Sequence, residues 1–298
     1  MAIAVLLGGC ATADESTSTA ARATPPATAA ARPSLVPSPS PSVSPSAPPI
    51  ASSTPSAGEG GVYLAVGDSL TFGIGVPQPR RNGFPARLGE RLATADPPIT
   101  ETSVFAVPGE TATGFLEHRL DDVLVAIDEL GHRVQLVTIG LGANELVRIR
   151  RDSSCEADRA GEACASAVSA ATAEAARSLD TVVASVQEAL AASGSRARVL
   201  VLAYYNPDVD PITVTALVGA DGVVACDPSN VAPGLNDRIA CIGEARAVEL
   251  VDLYAAFLGR EAELTRVGGG DIHPNQAGHD LIAEVIAAHL GLTADATP

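Results

Sequence analysis

The chain has 298 residues, enough for one or two domains, and its 19 basic against 35 acidic residues give a net charge of -16. Every basic residue is Arg. A surface of that sign repels nucleic acid and anionic lipid headgroups, and with aromatics at 3% and no Trp there is little to stack on bases, so no nucleic-acid partner is expected.

Residues 1–10, MAIAVLLGGC, form an apolar run that ends in Leu7-Gly8-Gly9-Cys10. This ending resembles the lipobox where bacterial lipoproteins are cleaved, which makes Cys10 the expected lipidation site. An ordinary secretory signal with a chance cysteine is the alternative. Residues 11–59 are almost wholly Ala, Ser, Thr and Pro. That composition buries too little apolar surface to fold, so the stretch is expected to be a disordered tether. Export follows from both features, with the protein lipid-anchored on the outer face of a bacterial membrane, or secreted. Membrane contact is expected only through Cys10.

One domain's worth of sequence remains, residues 60–292, before a short tail over 293–298 expected to be disordered. Apolar runs of strand length recur at 62–66, 103–107, 134–141, 199–205 and 248–253. Between them lie helix-period segments. The clearest places Val168, Thr172, Ala175, Leu179, Val182, Val186 and Leu190 on one stripe, and the last does the same with Ala277, Leu281, Ile282, Val285 and Ile286. Alternating strands and helices, with nearly continuous apolar strands, predict an α/β fold: a mostly parallel sheet covered by helices on both faces.

Four cysteines fall inside this domain. Of three possible connectivities the local one, Cys155 with Cys164 and Cys226 with Cys241, is the simplest and suits an exported protein. Metal ligation fits less well, because no CxxC spacing occurs and no histidine lies near them.

In a parallel sheet, ligand chemistry gathers at the carboxyl ends of the strands. The first run ends in Gly67-Asp68-Ser69-Leu70, the second in a turn holding Gly109, the third in Gly142-Ala143-Asn144-Glu145, and the fifth leads through three glycines to Asp271-Ile272-His273-Pro274. A hydroxyl, a backbone donor, an amide and an imidazole are what acyl transfer requires. Taken singly, each has a plainer reading: Ser69 as a helix cap, Asn144 and Gly109 as turn residues, His273 as a helix-entry residue.

Together, GDSL at Ser69, PGET at Gly109, GANE at Asn144 and DIHP at His273 resemble, in order, the motifs of the SGNH (GDSL) hydrolases. The resemblance implies a three-layer α/β/α sandwich with a five-stranded, flavodoxin-like sheet, and an esterase, lipase or related acyl-transfer activity. It implies Ser69 as nucleophile, His273 as base, and an oxyanion hole built from the Ser69 N–H, the Gly109 N–H and the Asn144 amide. The family pattern has Asp three residues before the histidine; here that place is Gly270 and the acid is Asp271. Either Asp271 or a backbone carbonyl is then expected to orient the imidazole. Asp68 is expected to shape the serine turn; the third block ends in Glu145, where Asp is commoner, a departure expected to touch a supporting role and not the Asn144 donor.

Tyr204, Tyr205 and Asn206 end the fourth run and are candidate pocket residues, or else surface connections. No cofactor and no metal are expected, for no cluster of His, Asp and Glu has ligand spacing. No long amphipathic lid stands out, so the reading is a serine esterase or deacylase acting on small esters or acylated envelope glycans. An O-acyltransferase using the same residues and a catalytically silent binding module are the alternatives.

Overall fold

The computed structural model of the chain describes residues 60–149, 151–207, 216–218 and 222–292. Cys10, the tether over 11–59 and the tail over 293–298 lie outside the described residues.

Five strands form one sheet: β1 (Gly61–Gly67), β2 (Ile99–Ala106), β3 (Val134–Gly140), β4 (Arg198–Ala203) and β5 (Glu249–Asp252). Their order is β2-β1-β3-β4-β5 and every pairing is parallel. All seven residues of β1 are buried, as a central strand covered on both faces must be. β2, at one edge, is buried only at its two ends. From β1 the chain first builds outward to β2, then returns to lay β3 on the other side of β1. The crevice opened by that reversal lies at the carboxyl ends of β1 and β3, which is where a ligand is held in this topology.

Helices cover both faces of the sheet, as the alternation predicts. α1 (Ser69–Phe72) and α2 (Pro79–Asn82) are single turns, whereas α3 (Phe84–Leu92) buries Phe84, Leu88 and Leu92 at four-residue spacing. α4 (Ala112–His118), α5 (Leu120–Leu130), α6 (Ala143–Ile149) and α9 (Leu235–Arg246) all pack on α8 (Glu162–Ala192). The expected stripe of α8 is buried from Thr172 to Leu190, while Val168 is half-buried. Before it, α7 (Ser153–Ala157) carries Cys155, bonded to Cys164 at the start of α8. The second disulfide ties Cys226 to Cys241 on α9. Among the described residues no helix is long and apolar enough to cross a membrane.

After β5 come α10 (Leu253–Phe257), α11 (Glu261–Leu264) and α12 (Gln276–His289), which packs on α3. The buried face of α12 differs from the expected stripe. Gly278, His279, Ile282, Ala283, Ile286 and Ala287 are inside, Ala277 is exposed, and Leu281 and Val285 are half-buried. The rotation follows from His279, whose Nδ1 accepts from the Phe84 N–H (3.3 Å) and whose Nε2 donates to the Ile74 carbonyl (2.9 Å). Two hydrogen bonds make a fully buried histidine affordable, and burial keeps it below the usual histidine pKa. A hydrophobic pattern cannot register such a residue as core.

Candidate active site

β1 ends at Gly67, and the Asp68 carboxylate caps the turn that follows by accepting the Leu70 N–H at 2.9 Å. Ser69 is thereby the first residue of α1, held at the carboxyl end of a buried strand. The histidine arrives differently. β5 is an edge strand separated from β1 by β4 and β3, so the chain between Asp252 and His273 must travel back across the strand ends. Its last part is a small closed loop. Thr265 and Pro274 form an antiparallel bridge, the Arg266 N–H bonds the His273 carbonyl (2.9 Å), and the Asn275 N–H bonds the Leu264 carbonyl (2.9 Å). Gly75 clasps this loop to the serine side: a Cβ there would stand 2.0 Å from the Pro274 carbonyl oxygen. Arg266 Nη1 donates to the Gly75 carbonyl at 3.1 Å.

These loops bring the sequence-predicted residues together. His273 Nε2 lies 2.9 Å from Ser69 Oγ, and His273 Nδ1 lies 2.6 Å from Asp271 Oδ1. Asp271 thus reaches the imidazole although it stands only two residues before it. The same Oδ1 accepts the His273 backbone N–H (3.1 Å), and Oδ2 pairs with Arg266 Nε (3.1 Å). Burial opposes the charge on Asp271, but the hydrogen bonds from the His273 ring and backbone N–H, with the Arg266 guanidinium nearby, outweigh it and hold the carboxyl below its usual range.

Asn144, on the first turn of α6, points its amide to the same place. Nδ2 donates to the Glu110 carbonyl at 2.8 Å and to Asp68 Oδ2 at 3.2 Å. Both amide hydrogens are engaged, and the longer bond to Asp68 is the weaker. Gly109 sits in the adjoining turn at φ 80°, its carbonyl accepting from Arg148 Nη2 at 3.3 Å. Glu145 supports this turn from below, with Oε1 accepting the Ala112 N–H (2.8 Å) and more weakly that of Thr113 (3.4 Å). Burial pushes the Glu145 carboxyl up to about 7.

The profile of the GDSL-like lipase/acylhydrolase family matches residues 65–281. The chain belongs to that family. Solved structures of the same fold include the lipase Lip_vut3 from a goat rumen metagenome, at 21% identity and a TM-score of 0.59 over 76% of this chain and 96% of that one. The acetylxylan esterase Axe2 from Geobacillus stearothermophilus gives 17% identity and a TM-score of 0.54 over 80% and 99%. TesA gives 19% and 0.51 over 78% and 99%. No curated protein sequence matches the chain.

In this GDSL-family member a cavity opens at Ser69, Asn144 and His273. Tyr204 and Tyr205 are among the residues lining it; Asn206 is buried and is not among them. Tyr204 has a second task that no motif announces. Its hydroxyl donates to Asp68 Oδ2 at 2.8 Å, while its backbone is clamped by Asn236, whose amide bonds both the Tyr204 N–H and carbonyl (2.8 Å each). Burial pushes Asp68 up to about 6, against the opposing effect of the Leu70 and Tyr204 donors and of His273. Tyr205 stacks on Phe257, with centroids 4.5 Å apart, and donates to the Ile272 carbonyl at 2.8 Å, next to the histidine. Among the described residues no group of three or more His, Cys, Asp or Glu side chains is placed to hold a metal ion.

Proposed function

We propose that residues 60–292 form a serine ester hydrolase domain. Membership of the GDSL-like lipase/acylhydrolase family supports a carboxylic ester hydrolase. The observation that carries the residue assignment is the continuous relay from Asp271 through His273 to Ser69, at 2.6 and 2.9 Å. In this reading Ser69 Oγ attacks the ester carbonyl carbon while His273 Nε2 takes its proton, and the Asp271 carboxylate stabilises the resulting imidazolium. The Ser69 and Gly109 N–H groups and the Asn144 amide receive the oxyanion, Asn144 by releasing Asp68. The bond to the alcohol oxygen then breaks as the imidazolium returns the proton to it. Water repeats the sequence on the acyl-enzyme and frees the acid.

Asp271 beside the imidazole argues against a catalytically silent fold. The alcohol moiety in this reading is a small alcohol or an envelope glycan. Two disulfides are compatible with export. Lipidation at Cys10 completes the proposal, and Cys10→Ala is expected to release the protein from the membrane fraction.

Short-chain p-nitrophenyl esters test the chemistry. Release of nitrophenol by the wild type, its loss in Ser69→Ala, and fluorophosphonate labelling confined to Ser69 are expected. Turnover that survives Ser69→Ala overturns the assignment. Adding a sugar acceptor and analysing products separates hydrolysis from acyl transfer.

A further inference from the structure

Among the described residues, the cavity at Ser69 is lined away from its reactive end by apolar side chains, with Arg159, in the loop between Cys155 and Cys164, the exception. Leu146, Val147 and Ile149 on α6, Val168 on α8 and Leu217 line it, together with the Cys155–Cys164 disulfide. The two cysteines are 3% and 1% exposed, so the bond faces the inside of the cavity and the packing around it. It is also what fastens α7, only five residues long, to the start of α8. Among the described residues lining the cavity, neither Cys226 nor Cys241 occurs.

Direction decides which half of an ester this wall meets. His273 Nε2 protonates the departing alcohol, so the alcohol leaves on the histidine side of Ser69. Leu146, Val147 and Ile149 share α6 with Asn144, whereas the departing alcohol is protonated from His273, so the α6 wall is assigned to the acyl side. An acetyl group leaves those side chains bare to water; a longer chain covers them.

We infer that this cavity seats an aliphatic acyl chain of several methylenes, and that the Cys155–Cys164 disulfide is part of the wall that selects it. The inference rests on the ester-hydrolase reading of Ser69. Burial against such a wall favours the longer chain by about fourfold in kcat/KM per methylene. Selectivity for chain length is then a property of an intact disulfide as well as of the apolar side chains.

The test uses the purified full chain and p-nitrophenyl acetate, butyrate, hexanoate and octanoate, where the leaving group is constant. kcat/KM is expected to climb from acetate to hexanoate at about fourfold per methylene. In Cys155→Ala/Cys164→Ala the octanoate-to-acetate ratio is expected to fall by about tenfold or more, whereas Cys226→Ala/Cys241→Ala keeps it within about twofold. The ratio is measured within one sample, so any unfolded fraction cancels. Should the first double variant fail to fold, Val168→Trp, which fills the cavity with both disulfides intact, is expected to lower the same ratio. A flat or falling profile with Ser69-dependent turnover overturns the inference and leaves the hydrolase reading standing. So does a ratio unmoved by both the disulfide and the Val168 changes, or selectivity that follows the alcohol in a series of acetate esters. Absence of Ser69-dependent turnover on every ester overturns the hydrolase reading instead.

Discussion

Asp271 Oδ1 lies 2.6 Å from the ring Nδ1 of His273, a histidine only two residues further along the chain, and also accepts that residue's backbone N–H. One carboxylate oxygen therefore fixes both the ring and the turn that carries it. The three-residue turn over 267–269 and Gly270 at φ 77° set the acid at this height in place of an acid one residue earlier.

Asp271→Asn is the sharpest test of that bond. An amide can offer its N–H to Nδ1 and so stabilise the tautomer whose Nε2 carries a proton and cannot accept one from Ser69. kcat is expected to fall by roughly 10³–10⁴-fold. Asp271→Ala, which lets water accept from Nδ1, is expected to be no more damaging than Asn. Equal activity of wild type and Asn variant would assign the orientation of the imidazole to the backbone.

Asn144→Ala removes one of the three proposed oxyanion donors. The expected loss in kcat is about 10²–10³-fold, with KM little changed. The fold should tolerate it at a cost of about 1 kcal/mol, because only two hydrogen bonds at the cavity edge are lost. Urea titration beside the kinetics separates the two effects; a KM increase with normal kcat would place Asn144 in substrate binding alone.

Tyr204→Phe leaves Asp68 Oδ2 with the Asn144 amide as its side-chain donor, which tightens the bond that the proposed mechanism releases. A fall of about tenfold in kcat with KM nearly constant is expected. Losing a donor that favours the ionised carboxyl also moves Asp68 further above about 6, so any acid limb it contributes to the kcat profile shifts to higher pH. A pure packing role for Tyr204 would lower stability and leave the pH profile unmoved.

Glu145 ties stability to pH. Burial lifts its carboxyl from 4.5 to about 7, so the folded state holds the proton more tightly than the unfolded one. The stability this group allows is complete below its unfolded pKa and is lost as pH rises through about 7. Glu145→Gln keeps an oxygen for the Ala112 N–H and cannot ionise. The variant is expected to gain on the wild type between about pH 5 and pH 8, by up to ~3 kcal/mol. His279 works in the opposite direction over part of this range, but it is common to both proteins and drops out of the difference. A difference in melting temperature that is constant with pH would refute the coupling.

Much of this was legible in the sequence, for identifiable reasons. Ser69 and Asn144 follow central strands whose apolar runs are unmistakable, and strand ends are where parallel sheets hold their chemistry. The disulfides were legible because each joins near neighbours, nine and fifteen residues apart. The bond from Tyr204 to Asp68 was not, since it spans 136 residues and neither residue type demands the other. Nor was the cavity wall: Leu146, Val147 and Val168 have the same pattern as core residues, and only their position beside Ser69 distinguishes them. The face of α12 was misread where His279 took a place that hydrophobicity reserves for leucine or valine.

The loop over 265–274 that delivers His273 is held by one bridge, a few backbone bonds, Arg266 and the Tyr205 hydroxyl, and it carries three consecutive glycines whose missing side chains would touch nothing. The sheet, by contrast, is buried through its central strands. On warming, the loop is the part that opens first. Catalysis should then fade at a temperature where circular dichroism still records an intact fold, and return on cooling, so that heat disarms the enzyme before it unfolds it.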